Sequence, residues 1–416
     1  MSGRTLGCRA CGAAQEGTSL RSRCECGGLL ELRGSIGTER PGAEWKKLFA
    51  ERRLSSTGPN ASGVWRYREL VYPEAAPSAI VTFPEGNTPL LHREALNRFA
   101  GLGELLFKHE GQNPTGSFKD RGMTVGATHA ARLGVGAVAC ASTGNTAASM
   151  AAYAAQAGLT AVVLVPEGRI ALGKLAQTVA YGAKILAVRG DFDACLRLVD
   201  EGGQALGLYL LNSINPFRLE GQKAIVLELL DQLGWNPPDW IVLPAGNLGN
   251  LSAFGRALSE ARALGLIDRL PRLAAIQAAG AAPFAKSFAD GFATRHRVDA
   301  ETVATAIRIG DPASYERAVE SIRLTNGVVT TATDAEILEA KAAIDRAGVG
   351  CEPASAASLA GVRRLVREGT IAPTERAVAV LTGHLLKDPE ILLKDRSALP
   401  ITEVDATLSA VAAALE

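Results

Sequence analysis

The sequence predicts an α/β fold with mostly parallel sheets and helices on both faces, and three observations carry that reading. From residue 105 onward, strand-like apolar runs alternate with helix-periodic stretches. The joints between them are short and rich in the chain's 44 glycines. Hydrophobic residues make up 47% of the 416 positions while aromatics make up only 5%, a balance that suits an α/β enzyme better than an all-β or disordered chain.

Taken in order, the first thirty or so residues read as a unit of their own, ending near Gly34. Residues 39–76 carry Trp45, Trp65, Tyr67 and Tyr72 in a mixed, linker-like context. The run Leu105-Leu106-Phe107 is strand-like, and strand candidates follow at 136–141, 161–165, 184–188, 208–211, 240–243, 273–277 and 377–381. Helical periodicity covers 146–157, 172–181, 217–233, 251–264, 335–347 and 354–367. In open sheets of this kind ligands gather beyond the carboxyl ends of the strands, so the loops there are where chemistry is expected.

The formal net charge of +1 gives no global electrostatic case for nucleic-acid or membrane binding. No apolar run is long enough to span a bilayer, and the first residues lack the apolar core of a signal peptide, so the expected location is the cytoplasm. Of seven cysteines, Cys140, Cys195 and Cys351 sit in apolar surroundings and read as small core residues. Cys8, Cys11, Cys24 and Cys26 are spaced as two knuckles around one tetrahedral Zn²⁺, the second pair one residue shorter than usual; the alternative is a ribbon that no longer holds metal. Arg4, Arg9, Arg21, Arg23 and Arg33 surround that cluster without interleaved aromatics and read as a solvated surface.

The most informative segment is His109-Glu110-Gly111-Gln112-Asn113-Pro114-Thr115-Gly116-Ser117-Phe118-Lys119-Asp120-Arg121. It places Lys119 on the first turn of a helix behind a Gly/Pro-rich loop. Ser117 and Asp120 have capping-box spacing, which makes Ser117 the expected N-cap and Lys119 the second helical residue. A helix N-terminus disfavours an ammonium, and a lysine of lowered pKa attacks carbonyls to form a Schiff base; the alternative is a solvated surface lysine. Ser142-Thr143-Gly144-Asn145-Thr146 follows a strand and opens an Ala-rich helix, presenting donors to a carboxylate or phenolic oxygen, or serving only as an N-cap turn. Pro244-Ala245-Gly246-Asn247-Leu248-Gly249-Asn250 is a Gly-rich turn before a helix with no P-loop lysine, suited to a cofactor phosphate. Thr382 follows the last strand, where a hydroxyl can meet a ring nitrogen. Lysine, dianion cradle and ring-nitrogen partner together suggest pyridoxal phosphate.

The same motifs resemble the fold-type II, tryptophan synthase β-like pyridoxal phosphate enzymes, and within them the threonine synthase family. Glu85-Gly86-Asn87-Thr88-Pro89-Leu90, Leu211-Asn212-Ser213-Ile214-Asn215-Pro216-Phe217-Arg218, Thr305-Ala306-Ile307-Arg308-Ile309-Gly310 and Cys351-Glu352-Pro353-Ala354-Ser355 narrow the likeness, which covers about 80–390. The resemblance implies two doubly wound α/β domains with the active site between them and a four-cysteine, zinc-ribbon-like unit in front. The expected division is 1–34 for that unit, 35–118 and 211–400 for the large cofactor-binding domain, 119–210 for the smaller domain and 401–416 for a C-terminal helix. By resemblance Lys119 carries pyridoxal 5′-phosphate, with Phe118 beside it and Asn145 at the 3′-oxygen. Gly246, Asn247, Leu248, Gly249 and Asn250 hold the cofactor phosphate, and Thr382 faces the pyridine nitrogen. Ser142, Thr143 and Thr146 meet the amino-acid end of the substrate, and Asn212 and Arg218 bind its phosphate.

The implied reaction turns O-phospho-L-homoserine and water into L-threonine and phosphate, with a small molecule as partner, no nucleic acid or membrane, and a homodimer as the expected assembly. Two positions depart from the family pattern: Leu385 follows the Thr-Gly-His segment where glycine is usual, and Leu248 stands where a small residue is common. Other readings within the fold are a threonine dehydratase or a cysteate- or cysteine-synthase-like β-replacement; outside it, a non-catalytic zinc-ribbon adaptor.

Overall fold

A computed structural model of the chain describes residues 4–17, 19–34, 40–168, 172–393 and 402–415. Its strands, in chain order, are β1 (Thr5–Cys8), β2 (Ala14–Gln15), β3 (Leu30–Arg33), β4 (Leu90–His92), β5 (Glu104–His109), β6 (Ala137–Ala141), β7 (Thr160–Pro166), β8 (Lys184–Val188), β9 (Leu208–Leu210), β10 (Trp240–Pro244), β11 (Arg272–Ala278), β12 (Val328–Ala332) and β13 (Arg376–Leu381). They form three sheets. One has six strands in the order β12-β11-β10-β13-β5-β4, parallel except for the edge strand β4, and another has four parallel strands in the order β8-β7-β6-β9. The third is a small antiparallel sheet, β2-β1-β3.

Every strand candidate from the sequence lies on one of these strands, shifted by a residue or so at its ends. Strands β1, β2 and β3 of the small sheet, and β4 and β12 of the six-stranded sheet, are not among the candidates; the last two show why. Both are sheet edges, one only three residues long and the other rich in half-buried threonine, so neither shows the apolar run of a central strand. The C-terminal helix expected over 401–416 is Leu408–Leu415, and positions 401 and 416 lie outside the described residues. The expected divisions at 34/35 and 400/401 likewise touch segments outside them.

Six helices position the strand-end loops: α1 (Lys119–Arg132), α2 (Asn145–Ala157), α3 (Pro216–Gln232), α4 (Gly249–Ala263), α5 (Tyr315–Leu324) and α6 (Pro353–Arg367). Helices α1 and α3 pack unusually close because glycines line their seam. A Cβ on Gly122 would stand 2.7 Å from the carbonyl oxygen of Arg218, and one on Gly221 would overlap the carbonyl of Arg121. A buried charge cluster then fixes the start of α1. Arg121 Nε donates to Glu110 at 2.7 Å and Nη2 to Glu228 at 2.7 Å, while Lys108 Nζ meets Glu228 at 2.6 Å. These groups join β5, the loop after it, α1 and α3, all shielded from water.

Three expectations need correction. The capping box at Ser117 is only half formed: Lys119 N donates to Ser117 Oγ at 3.4 Å, but α1 begins at Lys119 with Phe118 before it, so Lys119 is its first residue rather than its second. Its other half fails because Asp120 is pulled inward, accepting from Thr115 N, Thr115 Oγ1 and Ser149 Oγ at 2.6–2.7 Å. Of the stretch 39–76, position 39 lies outside the described residues and 40–76 is not linker-like: it contains the helix Gly42–Arg53, and Trp45, Trp65, Tyr67 and Tyr72 are buried in the main core. Nor is the arginine set wholly solvated. Arg4 is buried between Glu74 and Glu220, each at 3.0 Å, and Arg9 pairs with Glu31 and Glu320. The unit that begins the chain has its own sheet, but Leu6, Leu30 and Leu32 share one apolar core with Phe217 and Phe254 of the body, and burying that face takes Arg4 with it.

Candidate active site

The loops that end β5, β6, β9, β10 and β13 converge at the carboxyl edges of the two parallel sheets, where the alternation of elements led one to look. Lys119 opens α1 behind the loop that follows β5, half-buried, with its amine nitrogen 3.8 Å from the centroid of the Phe118 ring. Burial, then the nearby Arg218 charge, lower its pKa to about 7, against the opposing pull of Glu352. The direction agrees with the expectation from the helix terminus, but the causes are burial and Arg218.

Lys119 is stitched to the loop after β13. Phe118 N donates to Thr382 O at 3.0 Å, His384 N to Gly116 O at 2.9 Å, and Ser117 bridges Gly383. Thr382 Oγ1 lies 2.9 Å from Ser355 Oγ and 3.3 Å from Glu352 Oε1. Asn145, the first residue of α2, donates from Nδ2 to Glu352 Oε2 at 3.0 Å. Ser142, Thr143 and Thr146 flank it, half-buried, and Ser142 Oγ accepts from Gly144 N at 3.2 Å.

Asn212 follows β9 and accepts the Ala141 amide at 3.1 Å, which ties its loop to the one after β6. Arg218, on the first turn of α3, has no exposed surface. Its Nη1 donates to Leu211 O at 2.8 Å, whereas Nε and Nη2 have no protein partner. Burial lowers its pKa to about 10, so the guanidinium remains charged near neutral pH.

The turn after β10 is shaped by close contacts. A Cβ on Gly246 would stand 2.9 Å from Ile307 Cα, and Leu248 holds a left-handed conformation at φ 63° just before α4. Asn247 is spent on structure: Nδ2 donates to Ser213 Oγ at 2.6 Å, and Oδ1 accepts the Ala313 amide at 2.7 Å. Gly249 and Asn250 open α4, where the first amides have no intrahelical acceptor, and the buried Asn250 Oδ1 is also without a partner. A cradle of amides, an amine of lowered pKa and the orphaned donor nitrogens of Arg218 fit pyridoxal phosphate and a second phosphate. The two departures from the family pattern pack on the protein itself. Leu248 belongs to the buried apolar core, and Leu385 folds over Gly350.

Residue-type reasoning overlooked Glu352, which is only 4% exposed and bonded to both Asn145 and Thr382. An acid before Pro353 looks like an ordinary helix N-cap, and nothing in the sequence says that its side chain turns into a cleft. The four N-terminal cysteines meet elsewhere, their sulfurs all within 4.8 Å of one another, with Cys8–Cys26 at 3.4 Å and Cys11–Cys24 at 3.7 Å. Cys140, Cys195 and Cys351 are fully buried, as expected. A cavity of about 480 Å³ lies apart from the cleft, where the N-terminal unit meets α3, α4 and α5, lined by Arg9, Glu220, Arg256 and Arg317. Among the described residues no helix is long and apolar enough to cross a membrane.

Comparison with known proteins agrees with this geometry. Residues 81–383 match the family model described as pyridoxal-phosphate dependent enzyme. The chain is 46% identical to the threonine synthase of Methanocaldococcus jannaschii, covering 93% of this chain and 94% of the relative. It is also 46% identical to that of Methanosarcina acetivorans, covering 99% and 98%. The crystal structure of threonine synthase from Escherichia coli superposes with a TM-score of 0.72 over 99% of this chain and 94% of that one, at 21% identity, a likeness of fold. Motifs, fold and near-full-length relatives converge: this chain belongs to the pyridoxal-phosphate dependent enzymes, in their threonine synthase family.

Proposed function

We propose that the chain converts O-phospho-L-homoserine and water into L-threonine and orthophosphate. The observation that carries the reading is the buried Arg218 guanidinium, two of its nitrogens unpartnered, on a helix packed directly against that of Lys119. An amine of lowered pKa beside an unsatisfied cation suits an amino acid that loses a phosphate.

When bound, pyridoxal phosphate supplies an aldehyde for the substrate amine and an electron sink for charge at the carbons beside it. Lys119 would hold the cofactor and, once displaced by the substrate amine, take a proton from Cα and then one from Cβ; a pKa near 7 suits both duties. Gly246 to Asn250 would hold the cofactor phosphate, Asn145 its ring oxygen and Thr382 its ring nitrogen, with Phe118 beside the ring. Ser142, Thr143 and Thr146 would seat the amino-acid end, and Asn212 and Arg218 the leaving phosphate. Measuring phosphate release together with threonine formation from phosphohomoserine tests the assignment. Ketobutyrate from threonine, or sulfur incorporation, would instead favour the dehydratase or β-replacement readings.

We also propose that Cys8, Cys11, Cys24 and Cys26 hold one structural Zn²⁺. Sulfurs at about 2.3 Å from a tetrahedral zinc lie roughly 3.8 Å apart, close to the two spacings seen here. A cytoplasmic homodimer, and the domain division at 34, 118, 210 and 400, complete the proposal.

A further inference from the structure

We propose that Glu352 is a positioning residue that sets the orientation of the Asn145 carboxamide across the cleft. This deepens the proposed function and rests on its placement of Asn145 and Thr382 at the cofactor ring. Glu352 immediately precedes α6, which packs on the six-stranded sheet, while Asn145 opens α2 beyond β6 of the four-stranded sheet. Their 3.0 Å hydrogen bond therefore joins the two sheets at the mouth of the site.

Burial works to raise the Glu352 carboxyl, against the bonds from Asn145 and Thr382 and the charges of Lys119 and Lys387; in its ionised form it only accepts, so the group it meets is Nδ2 and the amide of Asn145 loses its freedom to turn over. Its second N–H is left pointing in one fixed direction. An amide without that neighbour has two nearly isosteric orientations, one of which presents an oxygen where a ring oxygen needs a donor. The other carboxylate oxygen accepts the Thr382 hydroxyl at 3.3 Å, so one side chain governs two residues placed at different edges of the ring.

The backbone holds this carboxylate in place. Glu352 N donates to Gly383 O at 3.1 Å, Gly383 N donates to Ser355 Oγ at 2.9 Å, and a Cβ on Gly383 would overlap the Glu352 carboxylate. A carboxylate 4% exposed, bonded to a neutral amide and a neutral hydroxyl, is costly to bury. Its gain is directional: it forces neutral partners to donate.

The test uses the holoenzyme and three variants, Glu352→Gln, Asn145→Ala and the double variant, read by the cofactor's dissociation constant and visible absorbance maximum. Glu352→Gln keeps the size and removes the compulsory acceptor. It is expected to weaken cofactor binding about tenfold, the scale of one hydrogen bond to a charged group, and to shift the absorbance maximum while the thermal midpoint stays near the parent's. In the Asn145→Ala background the same change should add less than about twofold. Unchanged binding and spectrum in Glu352→Gln, or an undiminished effect without Asn145, would overturn the proposal. If Glu352→Gln does not fold, Glu352→Asp, which withdraws the carboxylate by one methylene, replaces it with the same expectation. Lys119→Ala is run alongside. If it keeps the bound-cofactor absorbance, the site reading itself fails; if it loses that absorbance while Glu352→Gln behaves as parent, only this inference does.

Discussion

Gly122 and Arg218 touch backbone to backbone: a Cβ on Gly122 would come within 2.7 Å of the Arg218 carbonyl oxygen and 3.3 Å of its Cβ. The helix that carries Lys119 is thereby held at contact distance from the helix that carries Arg218, whose Nε and Nη2 have no protein partner. Gly122→Ala should push the two helices apart, costing about 1–3 kcal/mol by overpacking and raising KM for the phosphorylated substrate. Gly202→Ala, inside the helix Phe192–Ala205 where the nearest packed side-chain atom, Leu206 Cδ1, would stand 3.5 Å away, is the control and should be neutral or slightly stabilising. Urea unfolding and steady-state kinetics on both variants check this.

Arg218→Ala should lower kcat/KM for phosphohomoserine by about 10- to 100-fold, the range for a lost hydrogen bond to a charged group. Binding of unphosphorylated amino acids, followed by the change in cofactor absorbance, should barely move. An equal loss with both ligands would argue that Arg218 supports the fold rather than the phosphate.

Lys119→Ala should abolish both the visible absorbance of bound cofactor and turnover. The cofactor-free protein carries a second signature. Folding lowers Lys119 from 10.5 to about 7 by burial, then by Arg218. The unfolded chain therefore binds more protons between those values, and stability rises with pH across that window. Comparing thermal midpoints of parent and Lys119→Met as a function of pH should show this slope in the parent and lose it in the variant.

Arg121→Met leaves Glu110 and Glu228 buried without their guanidinium and should cost about 3–5 kcal/mol in a denaturant titration. Burial works to raise both carboxyls, and Arg121 with Lys108 outweighs it, holding them below 4.5. Their contribution is thus present above about pH 4.5 and lost as pH falls below it, so the parent should be acid-labile in that range and the variant less pH-dependent.

Cys11→Ser should reduce bound zinc from one equivalent to a trace by elemental analysis. The loss should also lower the thermal midpoint of the whole enzyme, because Arg256 donates to Leu32 O at 2.9 Å and Arg317 to Leu30 O at 2.8 Å across the seam. A parent protein free of zinc after purification in its presence would remove the metal from the account.

Periodicity and loop chemistry made the parallel sheets readable in advance. Strand Lys184–Val188 falls on its candidate, because apolar runs bounded by glycine leave little choice. The capping box at Ser117 misled because spacing cannot say that Asp120 will turn inward to Thr115 and Ser149. Arg4 misled for a similar reason: its partners Glu74 and Glu220 are distant in sequence, and only the fold brings them together. Glu352 escaped notice because its importance lies in the direction of one side chain, which residue type does not encode.

The most direct test is to incubate purified, cofactor-loaded protein with O-phospho-L-homoserine and quantify both products. Orthophosphate and L-threonine should appear in equal amounts, and Lys119→Ala should yield neither. Phosphate release without threonine, or threonine formed by the Lys119→Ala protein, would contradict the account.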